Sequence, residues 1–231
     1  MYFQHTQLSK IVHHYVRSTY TLFFKFTKFC KFSKCTTSSA NAATSANVAT
    51  SATSALGSTK PQCRQVWSPP VASIFKVNVD WAVFAQQQKS GVGVVIRNCE
   101  GLFMGALSMK LNQHLGSLEA KAKAYELGIM FAKDMGFHEI VLEGVSVMVS
   151  NAIVDISPPP SSIALVVYRI SSLLSVFCRF SISHVDRKGN QVSHLLAKHA
   201  QGFKQYVTWI EESPYFLEHA LSIDVFVSHT C

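Results

Sequence analysis

The chain has 231 residues, of which 48% are hydrophobic and 15% are charged, so it is large and apolar enough for one domain with a hydrophobic core. This composition excludes a wholly disordered protein, and no stretch reaches the roughly 18 apolar residues that a membrane-spanning helix needs. Six cysteines at irregular spacing do not resemble a disulfide framework, which favours a reducing, intracellular compartment.

The net charge of +8 is concentrated in the first third of the chain. Nine Lys and Arg residues and no acidic residue precede Asp80, which gives this part a charge of +9, whereas the remainder carries −1. The basic character therefore belongs to the N-terminal segment and does not by itself indicate a nucleic-acid groove in the globular part.

Residues 1–64 are predicted to be a disordered leader and linker in front of one domain over residues 65–231. Residues 36–59 carry only small, uncharged side chains and one valine and leucine, which bury too little surface to offset the entropy of ordering. Residues 20–34 intersperse Phe with Lys and Thr. A basic leader without acids is similar to an organellar transit peptide, but it contains little arginine, so organellar, nuclear and functionless alternatives stay open.

From Trp67 onward the sequence alternates between strand and helix patterns. The predicted strands cover residues 74–84, 91–97, 102–111, 138–144 and 179–185. The predicted helices cover residues 117–135, 146–154, 161–176 and 190–202, with Gly136 ending the first and Ser161 or Ser162 capping the third. This order predicts an α/β fold with a mixed five-stranded sheet, its first three strands antiparallel, and helices on both faces.

Three segments in this order match a known family. The first is FKVNVD, ending at Asp80, followed by the glycine-containing strand GVGVVIR; the second is SLEAKA over residues 117–122; the third is HVDRKGNQVSHLLA over residues 184–197. Together they resemble the type-1 ribonuclease H domain, in the form found in plant retroelements and their domesticated relatives. The resemblance implies the ribonuclease H-like fold and endonucleolytic cleavage of the RNA strand of an RNA–DNA hybrid.

The resemblance also implies a two-metal mechanism, in which two Mg²⁺ ions about 4 Å apart activate a water and neutralise the leaving oxygen. The family holds these ions with four carboxylates, because Mg²⁺ prefers oxygen ligands. Asp80 on the first strand and Glu119 at the start of the first helix match two of the four acids. The third position falls on Val145 and the fourth on His194, so two of the four acids are replaced.

These replacements predict an impaired site. Two remaining acids leave a charge of about −2 instead of about −4, valine offers no lone pair, and the imidazole of His194 suits Mn²⁺ better than Mg²⁺. Trp81 follows Asp80 where the family usually has glycine, which puts a large ring beside the metal position. Glu143 and Asp186 are near the missing acids in sequence, but strand alternation is expected to point Glu143 away from the required face.

His184, Arg187 and Asn190 are candidate nucleic-acid contacts, the first two through backbone phosphates. Each also has a structural interpretation, which is a hydrogen bond within the fold for His184 and Arg187 and the N-cap of the last helix for Asn190. Without the family pattern, Asp80 is typical of a sheet edge or turn, and His194 of a half-buried helix residue.

Two hypotheses of function follow. The first is a metal-dependent endoribonuclease of weakened activity, with Mg²⁺ or possible Mn²⁺ as cofactor. The second is a non-catalytic ribonuclease H-like module that binds a hybrid or duplex, or else a decaying retroelement copy. Both predict nucleic acid as the partner, a monomer, and no membrane span.

Overall fold

The computed structural model describes residues 67–112 and 115–228, with side chains as far as Asp224, so the predicted leader and linker lie outside the described residues. Six strands are present: β1 (Phe75–Phe84), β2 (Lys89–Arg97), β3 (Phe103–Leu111), β4 (Glu139–Gly144), β5 (Arg179–His184) and β6 (Tyr206–Ile210). Five α-helices accompany them: α1 (Ser117–Asp134), α2 (Val147–Ile153), α3 (Ser161–Leu174), α4 (Gln191–His199) and α5 (Glu218–Ser228). Within this part of the chain, none of the helices has the length and apolar character to cross a membrane.

The predicted α/β fold is confirmed, and the number of strands is corrected from five to six. The unpredicted elements are β6 and α5, which follow the last predicted helix. Strand β6 has five residues at the sheet edge, and all five are half-buried. Its sequence, YVTWI, likewise shows no regular alternation between polar and apolar residues. Periodicity could therefore not distinguish it from a loop.

The sheet has the strand order β5-β4-β1-β2-β3-β6. Strands β1, β2, β3 and β6 pair antiparallel, whereas β4 and β5 run parallel to β1. Helices α1, α2 and α3 pack on one face over the larger apolar core, and α4 and α5 cover the other face over a smaller one. Helix α1 ends as predicted, because Gly136 adopts a φ of +79°, which a residue with a side chain rarely takes.

The predicted cap of α3 is wrong. Pro160 occupies its N-cap position, and neither Ser161 nor Ser162 caps the helix with its side chain; the Pro160 carbonyl accepts from the Ile163 amide at 3.0 Å instead. Asn190 occupies the N-cap position of α4, but its side chain makes no capping hydrogen bond. Its Nδ2 donates to the backbone oxygen of Val79 at 2.9 Å, so it ties the start of α4 to β1.

Helix α4 approaches the sheet unusually closely, because two glycines of β2 face it. A side-chain carbon on Gly93 would lie 2.0 Å from the backbone oxygen of Ser193, and one on Gly91 would lie 2.1 Å from that of Ala197. Real Cβ atoms do not tolerate such distances, so only glycine permits this packing. The Ser108 hydroxyl of β3 also donates to a carbonyl of α4, that of Leu196, at 2.6 Å.

A central polar cluster is buried on the same face of the sheet. Its members are each at most 7% exposed: Lys76, Asn78, Arg97, Glu143 and Asp224. Glu143 accepts from Lys76 Nζ at 2.7 Å and from Asn78 Nδ2 at 3.0 Å. Arg97 donates to Asp224 Oδ2 at 2.8 Å and to Asn78 Oδ1 at 3.2 Å. The two cations are thus balanced by two carboxylates.

The cluster corrects the expectation for Glu143. In the parallel register Glu143 lies beside Asn78, and Asn78 and Asp80 alternate onto the same face of β1. Glu143 therefore faces the same side of the sheet as Asp80, but both of its carboxylate oxygens are engaged within the cluster. Trp67 covers the cluster, with its indole N–H donating to Asn78 at 2.9 Å and its ring centroid 3.7 Å from the Arg97 guanidinium carbon.

We expect Asp224→Asn to lower the free energy of unfolding by about 3 kcal/mol, because it leaves the Arg97 charge buried without a counter-ion. Burial already lowers the pKa of Arg97 and raises that of Asp224, with each partner opposing the shift of the other. Urea unfolding of the full chain measures the change.

The matched control is Asp155→Asn on an exposed carboxylate, which we expect to change the free energy of unfolding by at most about 0.5 kcal/mol. Equal urea midpoints for the two variants would contradict a stabilising role for the Arg97–Asp224 ion pair.

Candidate active-site depression

Asp80 and His194 meet where β1 lies beneath α4. The carboxylate of Asp80 is 5% exposed and its Oδ2 lies 2.8 Å from His194 Nδ1, while the His194 side chain is 31% exposed. An ionised carboxylate can only accept, so Nδ1 carries the proton in this hydrogen bond. Asp80 pairs with Gly93 across the β1–β2 ladder, and the close approach of α4 at this glycine therefore brings His194 onto the carboxylate.

Burial raises the pKa of Asp80 above its ordinary value. Three favourable interactions oppose this shift without cancelling it: the backbone N–H of Trp81, the imidazole of His194 and the positive charge of Arg187. The ionised form of Asp80 is thus less favourable in the folded protein than in water, despite its hydrogen-bond partner.

A depression opens beside Asp80 at the ends of β1 and β4. Its lining residues are Val79, Asp80, Trp81, Lys121, Ala124, Tyr125, Val145 and Ser146. Burial raises the pKa of Tyr125 to about 12, and its hydroxyl hydrogen-bonds Ser150 Oγ at 2.7 Å, so this side chain stays neutral. Lys121 Nζ lies 4.5 Å from the centroid of the Trp81 ring.

Glu119 has a local partner at the start of α1. Its Oε2 accepts from the Gly116 backbone N–H at 2.9 Å, which is one half of a capping box, because Gly116 has no side chain to accept in return. Of the four positions identified by resemblance, Asp80 contacts His194 and lines the depression together with Val145. Glu119 is not among the lining residues and bonds a backbone amide at the start of α1.

The remaining predicted residues lie around this end of the sheet. His184 ends β5 beside Gly144 and is exposed, and Arg187 is exposed and close enough to lower the pKa of Asp80 by its charge. Asn190 is buried and holds the Val79 carbonyl, which immediately precedes Asp80. Asn190 thus positions the backbone of the site.

The residues present do not fit a pair of Mg²⁺ ions. One oxygen of Asp80 is taken by His194, one oxygen of Glu119 is taken by a backbone amide, and Val145 has no donor atom. In residues 67–112 and 115–228 no group of three or more His, Cys, Asp or Glu side chains is arranged to hold a metal ion. A divalent metal prefers several oxygen ligands converging on one point, which this arrangement lacks.

Sequence reasoning missed Lys121, Tyr125 and Ser146 as parts of the depression. Lys121 follows Glu119 by two positions in α1, in a stretch that is otherwise alanine-rich. The signal that could have pointed to Lys121 was Trp81 next to Asp80, because a large aromatic ring at that position can make a cation–π contact with a neighbouring lysine.

Comparison with known families gives one match to the sequence. The model of a family described as "Reverse transcriptase-like" matches residues 78–200, which span the segment from Asn78 to Ala200. No curated protein sequence matches this chain significantly.

Solved structures are similar in fold. Ribonuclease H1 from the halophilic archaeon Halobacterium salinarum NRC-1 is similar at 23% identity and a TM-score of 0.53, covering 56% of this chain and 98% of its own. The N-terminal ribonuclease H domain of a Mycobacterium tuberculosis protein has 16% identity and a TM-score of 0.51, covering 56% and 94%. LC11-RNase H1 in complex with an RNA/DNA hybrid has 14% identity and a TM-score of 0.50, covering 55% and 95%.

We expect Asp80→Asn to raise the melting temperature of the full chain at neutral pH, because the amide removes a charge that the fold disfavours and can still accept from His194. Because the pKa of Asp80 is raised in the folded state, the wild-type protein loses stability at pH values above that pKa. The gain in melting temperature of Asp80→Asn should therefore shrink as the pH falls through the raised pKa. It should vanish below about 3.8, where the carboxyl is protonated in both the folded and the unfolded state.

Thermal melts between neutral and acidic pH measure this difference, with Asp155→Asn at an exposed position as the control. A melting temperature of Asp80→Asn that is below wild type at neutral pH would show that the contact with His194 outweighs the cost of burial.

Proposed function

The chain belongs to the reverse transcriptase-like family, with a ribonuclease H-like fold, and from this premise we propose that it is a nucleic-acid-binding domain of the plant retroelement branch with impaired hybrid cleavage. The observation that carries this proposal is the contact of His194 with Asp80, which lines the same depression as Val145. The Asp80 carboxylate already accepts a hydrogen bond, and the aliphatic Val145 has no donor atom. Together they are poor ligands for metal-assisted hydrolysis.

Support for nucleic acid as the partner comes from exposed basic side chains. Lys121 lines the depression and is half-exposed, and Arg187, Lys188 and His184 are exposed at the end of β5 and before α4. Such side chains can hold backbone phosphates without reading sequence. LC11-RNase H1, which shares the fold, was solved with an RNA/DNA hybrid, and we propose a hybrid as the preferred ligand here.

The plant retroelement branch is proposed from the third matched segment, in which His184, Arg187 and Asn190 precede His194 and a terminal Leu-Ala. We also propose that the functional domain covers residues 65–231. The contact of Trp67 with Asn78 and the ion pair of Asp224 with Arg97 support boundaries that include both ends of this range.

We expect the full chain to bind a labelled RNA–DNA hybrid and to cleave it slowly or not at all, well below about 1 s⁻¹ in Mg²⁺. Any residual cleavage should favour Mn²⁺, because imidazole is a better ligand for that ion than for Mg²⁺. Gel-resolved cleavage and fluorescence anisotropy on the same hybrid measure the two properties. Turnover near 1 s⁻¹ in Mg²⁺ would refute the impairment, and absence of hybrid binding would refute the partner.

Restoring the two missing carboxylates should restore metal-dependent cleavage. The double variant Val145→Asp, His194→Asp returns the charge of the four positions, Glu119 included, to about −4. This charge suits two divalent ions, and Glu119 has to turn toward them to act as a ligand. Mg²⁺ should also raise its melting temperature, because bound metal relieves repulsion among the carboxylates.

The matched control is Val147→Asp, His194→Asp, which adds the same charges but places one at an exposed position of α2. A double variant that folds and binds Mg²⁺ yet cuts no hybrid, even with Trp81→Gly added, would show that the replaced acids do not explain the impairment.

A further inference from the structure

Lys121 is held at the rim of the depression by an aromatic ring. Its ammonium lies 4.5 Å from the Trp81 ring centroid, within the range of a cation–π contact. No carboxylate in the described part of the chain lies within ion-pair distance of Lys121, whereas Lys123, two residues further along α1, pairs with Glu126 at 2.6 Å. The charge of Lys121 is therefore fixed in place and available to a ligand.

The acidic groups near the depression are already engaged. Asp80 accepts from His194, and its pKa responds to the charge of Arg187; Glu119 accepts from a backbone amide. The exposed carboxylate of Asp186 is offset by its neighbours Arg187 and Lys188. The cationic group that lines the depression is thus Lys121, whereas Arg187 and the half-exposed ring of His194 lie near Asp80.

This arrangement carries less negative charge than a two-metal centre presents. A site of about −4 attracts divalent cations and contacts phosphate only through them. Here the cationic side chains can approach a phosphate oxygen directly, since lysine and arginine are the residues that proteins use for phosphate contacts.

We propose that the depression beside Asp80 binds a backbone phosphate of nucleic acid directly, through Lys121, without a divalent metal. The inference rests on the proposed function, since it names the groups and the ligand chemistry by which that nucleic-acid binding occurs. The Asp80 side chain is 5% exposed and is hydrogen-bonded to His194, so it presents little of its carboxylate to the phosphate. Trp81 takes part by holding Lys121 toward the ligand.

The test is anisotropy titration of the full chain with a fluorescent RNA–DNA hybrid, in EDTA and in Mg²⁺, over a series of salt concentrations. We expect binding in EDTA to be at least as tight as in Mg²⁺, because Mg²⁺ competes with the protein for the phosphates. Lys121→Met, which keeps the apolar stem, should weaken binding about eight-fold near 0.1 M salt and reduce the slope of log K against log salt by about one, as expected for one lost phosphate contact. Lys121→Arg should retain most of the affinity.

The control is Lys133→Met, which removes the same charge from an exposed position about 18 Å away along α1. It should leave both the affinity and the slope close to wild type, and melting curves of all variants check that they remain folded.

Three outcomes overturn the proposal. Binding in EDTA that Lys121→Met does not weaken more than Lys133→Met refutes the phosphate contact and leaves the proposed function intact. Binding that requires Mg²⁺ refutes metal independence and likewise leaves a hybrid-binding function. The absence of hybrid binding under both conditions refutes the proposed function together with this inference.

Discussion

The close packing of α4 against β2 is the constraint on which the candidate site depends. Gly93 has no side chain, so the backbone of α4 can approach the sheet to a distance that a Cβ atom would forbid. Because Asp80 lies opposite Gly93 in the ladder, the same approach places His194 against its carboxylate. Asn190 then holds the start of α4 to the backbone of β1. The environment of the Asp80 carboxylate therefore depends on the close packing of α4 against the sheet.

The buried polar groups on this face of β1 have two kinds of partner. Lys76 and Asn78 belong to a cluster in which carboxylates and cations pair in full, a condition that buried ions need in order not to destabilise a fold. Asp80, two residues later, is nearly as buried, but its hydrogen-bond partner is the imidazole of His194 and not a lysine or an arginine. Burial raises the pKa of Asp80, as it raises that of Asp224.

Much of the fold could be predicted because its elements have strong local patterns. The alternation along β1 and the alanine-rich helix with Gly136 after it are properties of short sequence windows. Strand β6 has no such pattern, since its exposure is uniform and its place depends on pairing with β3. The same holds for the site. The position of Asp80 could be predicted from a sequence motif, whereas the contact of Lys121 with Trp81 joins a helix and a strand and cannot be read from residue spacing.

Arg97 ends the inner strand β2 and contacts side chains from both ends of the described fold. Trp67 stacks on its guanidinium, and Asp224 accepts from the same group at 2.8 Å. Trp67 and Asp224, near the two ends of the described residues, are consequently neighbours in space. A fold with this property can be placed within a surface loop of a host protein, or circularly permuted, without stretching the chain on either side.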